Sequence, residues 1–172
     1  MKDNFEVSFA LLLKEEGGFV DDPQDPGGMT NLGVTKEVWD QYTGQTSSED
    51  DMRKLSPAQV YPLYYTEYWK KVSGDDLPTG VDYAVFDFGV NSGTGEAVRV
   101  LQECVGVNPD GVIGPVTLAA IRAANPVDLC NEICDKRLSY LQSLHGWAHD
   151  GNGWGNRVAY VKGVSASMAG RG

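Results

Sequence analysis

No stretch of this chain approaches the roughly 18 uninterrupted apolar residues of a membrane-spanning helix, so the sequence offers no candidate transmembrane helix. The first residues, Met-Lys-Asp-Asn-Phe-Glu, lack a basic start, a long apolar run and an Ala-x-Ala cleavage site, and no signal peptide is expected. Positive charge is scarce: 14 Lys and Arg stand against 24 Asp and Glu, for a net charge of −10. That argues against a nucleic-acid partner, whose phosphates are neutralised largely by Lys and Arg. Cysteine and histidine are scarce too. Cys130 and Cys134 share one face of a helical stretch, but His145 and His149 lie more than ten residues beyond them. A zinc site needs about four ligands, so no metal is expected. The odd count, completed by Cys104, reads as reduced thiols packed as small apolar groups, which fits folding in a reducing compartment. There is no internal repeat and no low-complexity linker.

What remains is an ordinary globular composition, 41% apolar and 22% charged over 172 residues. This suits one domain, or one domain with two lobes, large enough to bury a core without disulfides. Phe5, Phe9, Leu12 and Leu13 follow the i, i+4, i+7, i+8 pattern, which predicts a helix over 3–16 capped by Asp3 or Asn4 and ended by Gly17-Gly18. Prolines and glycines cluster in 17–35 with short apolar pieces on either side, predicting a small irregular hairpin. Helix returns at 36–42. Ser56-Pro57-Ala58-Gln59 is a capping box with proline at the first helical position, predicting a helix to about Trp69. Residues 80–90 are apolar nearly all round, as in a central buried helix. Further helices are expected over 94–105, from Pro115 to about Ala124, from Pro126 to about Leu144, and over 154–168, with the Ser-Ser-Glu-Asp-Asp run at 47–51 an exposed loop. The expected fold class is mostly α (α+β), a small N-terminal β-hairpin packed with a helical bundle.

Glu16 stands out chemically. It ends the first helix, directly after Glu15 and before two glycines. The negative end of the helix dipole and a neighbouring like charge both disfavour ionisation there, and partial burial against Phe19 would add to them. A carboxylic acid that keeps its proton near neutral pH is suited to general acid catalysis. Asp25 follows nine residues on, within the Pro/Gly-rich turn, and Thr30 five beyond that. Glycosidases set two carboxyl groups across a cleft, about 5 Å apart for a nucleophile and about 6.5–9.5 Å apart when a water must fit between them. A helix end and the next turn can face each other in this way, with Thr30 helping to hold the water. Asp22 is the rival for the second carboxylate, and Asp25 before Pro-Gly-Gly is also simple turn chemistry.

Glu-Gly-Gly-Phe at 16–19, Asp-Pro-Gly-Gly-Met-Thr-Asn-Leu-Gly-Val-Thr at 25–35 and Trp39 resemble the N-terminal signature of glycoside hydrolase family 108, a family of phage endolysins and related muramidases. Asp-Phe-Gly-Val-Asn-Ser-Gly at 87–93, Leu-Gln at 101–102, Asp-Gly-Val-Ile-Gly-Pro-Val-Thr at 110–117 and Gly-Trp-Gly-Asn-Arg at 153–157 look like the peptidoglycan-binding region that completes these proteins. The resemblance implies a lysozyme-like fold with a catalytic part over 1–90 and a helical peptidoglycan-binding part over 91–172, packed as one unit. It implies Glu16 as catalytic acid. The Glu, Asp, Thr layout is also similar to the triad of phage lysozymes, with the gap from Asp25 to Thr30 one residue shorter than the commonest pattern.

The implied reaction is hydrolysis of the β-1,4 bond between N-acetylmuramic acid and N-acetylglucosamine in peptidoglycan, without cofactor. Rival readings are a lytic transglycosylase, a non-catalytic wall-binding module, and a secreted antibacterial effector with the same chemistry. The protein would be a monomer, made in the bacterial host cytoplasm and acting on periplasmic peptidoglycan after holin-type release, with its negative charge kept away from the cleft.

Secondary candidates carry double readings. Thr35 and Asn31 are expected to contact sugar hydroxyls, with a turn conformation as the alternative for Asn31. Trp39, Tyr42, Trp69, Trp147 and Trp154 are sugar platforms or core, and Tyr61, Tyr64, Tyr65 and Tyr68 sit at helical spacing, as packing residues do. Asp87 and Asn91, four apart, either bond a loop or touch substrate. Arg157 meets a stem-peptide carboxylate or caps a helix.

Overall fold

The computed structural model describes residues 2–24 and 27–172. The described residues form nine α-helices and three short strands: α1 Lys2–Glu15, β1 Val20–Asp21, β2 Met29–Asn31, β3 Val34–Thr35, α2 Lys36–Thr43, α3 Glu49–Arg53, α4 Pro57–Tyr64, α5 Val81–Ser92, α6 Thr94–Cys104, α7 Pro115–Ala123, α8 Pro126–Ser143 and α9 Trp147–Ala169. The expected class, mostly α with a small N-terminal β element, is the one observed. That element is a three-stranded antiparallel meander, β1-β2-β3, rather than a simple hairpin.

The chain divides into two compact units, Phe9–Glu67 and Met1–Ser8 with Tyr68–Gly172. These are units of packing: α5 packs with α6, α8 and α9 and so groups with the C-terminal helices.

In the larger unit α5 is the central helix. Val81 to Gly89 are all buried, so neither a stripe nor an alternation could appear in its sequence. Phe5, Trp69 and Phe86 form a ring cluster with centroids 5.3–5.8 Å apart and tilted or edge-on planes, the arrangement that aromatic quadrupoles favour. Trp69 is therefore core. Asn4 lies inside α1 rather than capping it, and its amide donates to Thr79 Oγ1 (3.1 Å) and Asp82 Oδ2 (2.8 Å). Asn125 caps α8, its side chain accepting from the amides of Val127 and Asp128. Helix α9 begins seven residues before the expected 154, despite three glycines in its first turns. There Trp147 covers Gly151, where a β-carbon would lie 2.8 Å from the indole. The missing side chain makes room for the ring.

In the smaller unit the capping box opens α4 as expected: Gln59 Oε1 accepts from the Ser56 amide (2.9 Å) and hydroxyl (3.1 Å). Helical structure then runs on to Trp69, but Tyr65–Trp69 widens into a π-helical turn. Phe9 of α1 packs on Tyr61 edge-on at 5.2 Å and on Tyr64 at 5.5 Å. In the Ser-Ser-Glu-Asp-Asp run Ser47 is buried, residues 48–51 are exposed, and from Glu49 the chain is helix rather than loop. Ser48 caps α3, accepting from the Asp51 amide at 3.1 Å while the Asp51 carboxylate accepts the Ser48 amide at 2.8 Å. This reciprocal pair of bonds starts a helix from what looks like a charge run.

Candidate active site

Glu16 follows α1 directly, and its amide still bonds to the Leu12 carbonyl at 3.1 Å. The side chain is half-buried. It rests on the connection between β2 and β3, where Asn31-Leu32-Gly33-Val34 makes a two-residue turn with positive φ at both central positions, Leu32 at 53° and Gly33 at 77°. Two such residues define the type I′ turn, whose twist matches that of the flanking strands. A β-carbon at Gly33 would lie 2.8 Å from both Cγ and Cδ of Glu16 and 2.6 Å from the Tyr64 hydroxyl. The absence of a side chain at residue 33 is thus what lets the carboxyl sit there.

The same small sheet carries the other candidates of this unit. Thr30 faces Val20 across one pairing and Thr35 across the other, so the three side chains share a face. Thr30 and Thr35 are half-buried and Val20 is exposed. Thr35 also caps α2, its hydroxyl accepting the Val38 amide at 3.2 Å. On the opposite face Asn31 and Val34 point inward. Asn31 is 5% exposed, and its amide donates to the carbonyls of Met52 (2.8 Å) and Arg53 (3.3 Å) at the end of α3. Neither expected reading of Asn31 matches this arrangement. The turn conformation falls on Leu32 and Gly33, and the strand register sends the amide into the interior as a tether for α3.

Asp25 lies outside the described residues. Asp22 is exposed, with Oδ1 accepting the Gln24 amide at 2.9 Å as a local turn former does. Phe19 is half-buried under Arg53, whose guanidinium stands 4.0 Å from the ring centroid and also pairs with Glu49 at 2.7 Å. Trp39 leans on Tyr42 at 5.9 Å and lines a depression of about 400 Å³ with Thr43, Gln45, Thr46, Leu55 and Gln59.

The remaining candidates belong to the larger unit. Asn91 is exposed near the end of α5 and accepts the Ser92 hydroxyl at 3.3 Å. Trp154 is half-buried, 6.3 Å from Trp147. Arg157 donates from Nε and Nη2 to Asp87 at 3.2 and 3.0 Å, and Asp87 also receives Arg137 Nη1 at 2.6 Å. Both readings of Asp87 named a loop or substrate as its partner, whereas the carboxylate bonds arginines of two other helices. Gln102 is fully buried and holds the 110–117 segment. Its amide donates to Asp110 (2.8 Å), the Val112 carbonyl (3.0 Å) and Thr117 (3.2 Å), and its oxygen accepts the Gly111 amide at 2.8 Å. These bonds, the Gln102 side chain first, hold the Asp110 carboxyl below its ordinary value.

Tyr64, Leu32 and Gly33 escaped the sequence reading as site residues. Leu-Gly between two short apolar pieces is a weak hairpin signal, and nothing in the sequence ties Tyr64 to that turn.

The family model for glycosyl hydrolase 108 matches residues 9–93, and that for a predicted peptidoglycan domain matches residues 96–163. A solved structure of Brucella abortus SagA superposes with a TM-score of 0.90 at 40% identity, covering 98% of this chain and 97% of that one. No curated protein matches the chain. Fold and matches together define a lysozyme-like glycoside hydrolase that acts on peptidoglycan. The chain belongs to the glycosyl hydrolase 108 family.

Proposed function

We propose that this protein is a muramidase of the endolysin type, hydrolysing the β-1,4 bond between N-acetylmuramic acid and N-acetylglucosamine, with Glu16 as the general acid. The observation that carries this reading is the carboxyl of Glu16 held half-buried against the β2–β3 turn, beside a small sheet that presents Thr30 and Thr35 on one face.

Glu16 delivers its proton to the glycosidic oxygen as that oxygen leaves the anomeric carbon. Water then adds to the anomeric carbon and its released proton passes to a carboxylate. Asp25 is the group we assign to that task, with Thr30 steadying the water. Trp39 and Thr35 contact the glycan near the cut. Asn91, Trp154 and Arg157 belong to the peptidoglycan-binding part, 91–172, and the catalytic part is 1–90. The enzyme acts as a monomer on periplasmic peptidoglycan, after synthesis in the host cytoplasm and release by a holin-type route.

The test is Glu16→Gln in a peptidoglycan turbidity assay, with mass spectrometry of the products. Positioned acid–base groups contribute roughly 10²–10⁴-fold, so clearing should slow by about that factor while circular dichroism stays native. Reducing-end muramic acid is expected among the products. Anhydro-muramyl ends would make the protein a lytic transglycosylase, and equal clearing by both forms would remove Glu16 from the chemistry.

A further inference from the structure

We propose that Tyr64 is a positioning residue for Glu16, its hydroxyl fixing the turn on which the Glu16 carboxyl rests. This inference rests on the role given to Glu16 above.

Leu32 has φ 53°, a left-handed conformation that a leucine seldom adopts and that persists only where the surroundings impose it. The restraint is visible. Tyr64 is 1% exposed, and its hydroxyl donates to the Leu32 carbonyl at 2.7 Å. That bond fixes the peptide plane leading into Gly33. Gly33 in turn lies between the two side chains: the Tyr64 hydroxyl and the Glu16 Cγ and Cδ all converge on the place its β-carbon would occupy, at 2.6, 2.8 and 2.8 Å. Any rotation of the Leu32–Gly33 peptide therefore moves the surface under the carboxyl.

A second contact ties the same tyrosine to the helix that carries Glu16. The Tyr64 ring lies 5.5 Å from that of Phe9. Phe9 belongs to α1, and Glu16 follows that helix directly, its amide still bonded to the Leu12 carbonyl at 3.1 Å. Helix α1 and the turn are thereby both referenced to one buried side chain, through its ring and its hydroxyl respectively. Tyr64 is also the last residue of α4 before the π-helical turn Tyr65–Trp69, a local distortion found often at functional sites. The ring alone would satisfy a packing role; the hydroxyl bond to a strained turn is what assigns a positioning role.

Tyr64→Phe separates the two, since it keeps the ring and deletes the hydroxyl. On soluble glycan strands, kcat should fall at least tenfold with KM within twofold of wild type. In the NMR spectrum the nuclear Overhauser contact between the Gly33 α-protons and the Glu16 γ-protons should weaken or vanish. Val60→Ala, which cuts into the buried face of the same helix, supplies the stability control and should lower Tm while leaving kcat and that contact in place. The proposal is overturned if Tyr64→Phe keeps either kcat within twofold or the Gly33–Glu16 contact intact, or if Val60→Ala loses as much kcat. Should wild type and Glu16→Gln prove equally inactive, the muramidase reading fails, and the Gly33–Glu16 contact decides the positioning role by itself.

Discussion

Asp87 accepts hydrogen bonds from two arginines on two different helices, Arg137 of α8 and Arg157 of α9. Asp87 is 0% exposed, Arg137 1% and Arg157 13%. A charge taken this far from water is tolerable only with its partners in place, and removing one partner of a buried pair typically costs about 3–5 kcal/mol. Arg137 is already incompletely satisfied, with Nε and Nη2 lacking hydrogen-bond partners among the described residues. Asp87→Ala is therefore expected to destabilise the protein by about 3–5 kcal/mol, read from urea unfolding. A loss below about 1 kcal/mol would mean that water reaches the cluster and that the carboxylate is not what joins the three helices.

Arg157 gives a narrower prediction from the same cluster. Its Nε and Nη2 reach both oxygens of Asp87, a two-point geometry that lysine cannot reproduce. Arg157→Lys should lower the thermal midpoint measurably and weaken peptidoglycan binding only in proportion to that loss. Strong weakening of wall pull-down at unchanged Tm would instead show the guanidinium reading a substrate carboxylate.

Gly33 and Gly44 share a left-handed backbone, at φ 77° and 70°, but differ in surroundings. A β-carbon at Gly44 meets nothing within 4 Å, whereas at Gly33 it runs into Glu16 and Tyr64. Alanine at either position incurs a conformational cost of about 1–2 kcal/mol. Gly33→Ala should lose roughly 1–3 kcal/mol more from overpacking, and of the two it alone should depress wall clearing, because its methyl displaces the carboxyl. Chemical denaturation and turbidity assays on the pair check both claims. Equal stability and equal activity would mean that Glu16 moves aside without consequence.

The cysteines offer a test by reactivity. Burial, the largest cause in each case, raises the thiol of Cys104 to about 12, Cys130 to about 12 and Cys134 to about 11. The thiolate is the reactive form, so near pH 8 almost none is present in the native protein. A disulfide reagent such as dithionitrobenzoate should react only slowly with folded protein and rapidly with three thiols in denaturant. Fast native reaction of Cys130 or Cys134 would show that α8 opens readily.

How far the sequence foretold all this depends on how local each signal is. The Ser56–Gln59 box and the all-apolar 80–90 run predicted α4 and α5 because capping and burial leave their marks within a few residues. Ser48–Asp51 is the same kind of cap and was missed, since its three acidic residues read as solvated charge. The start of α9 was hidden by glycines whose low helix propensity is overridden by a tryptophan packing on one of them. Glu16 was legible as a helix end because Gly-Gly follows it, while its assignment as an acid came from the family resemblance of the motif around it. Its support was not legible: Gly33 and Tyr64 lie far along the chain, and only the folded turn brings them to the carboxyl. Asn31 shows the complementary failure. Its residue type suggested a turn or a sugar, while strand register alone decided that it faces inward.

The 110–117 segment carries the last prediction, which concerns acid. Asp110 is held below its ordinary 3.8 first by the Gln102 amide and then by the Val112 N–H. A carboxyl depressed in the folded state contributes stability above its unfolded value, and that contribution is lost as pH falls through 3.8 toward the folded value. Gln102→Ala removes the chief cause of that depression; it also strands the Gly111 amide and the buried Thr117 hydroxyl, and the loss of those hydrogen bonds should by itself lower stability by about 1–3 kcal/mol. The difference between wild type and variant should then shrink below about pH 4, because acid takes from the wild type a contribution that the variant already lacks. Urea titrations at several pH values measure it. A gap that stays constant, or widens, in acid would show that the Asp110 carboxylate does not depend on Gln102.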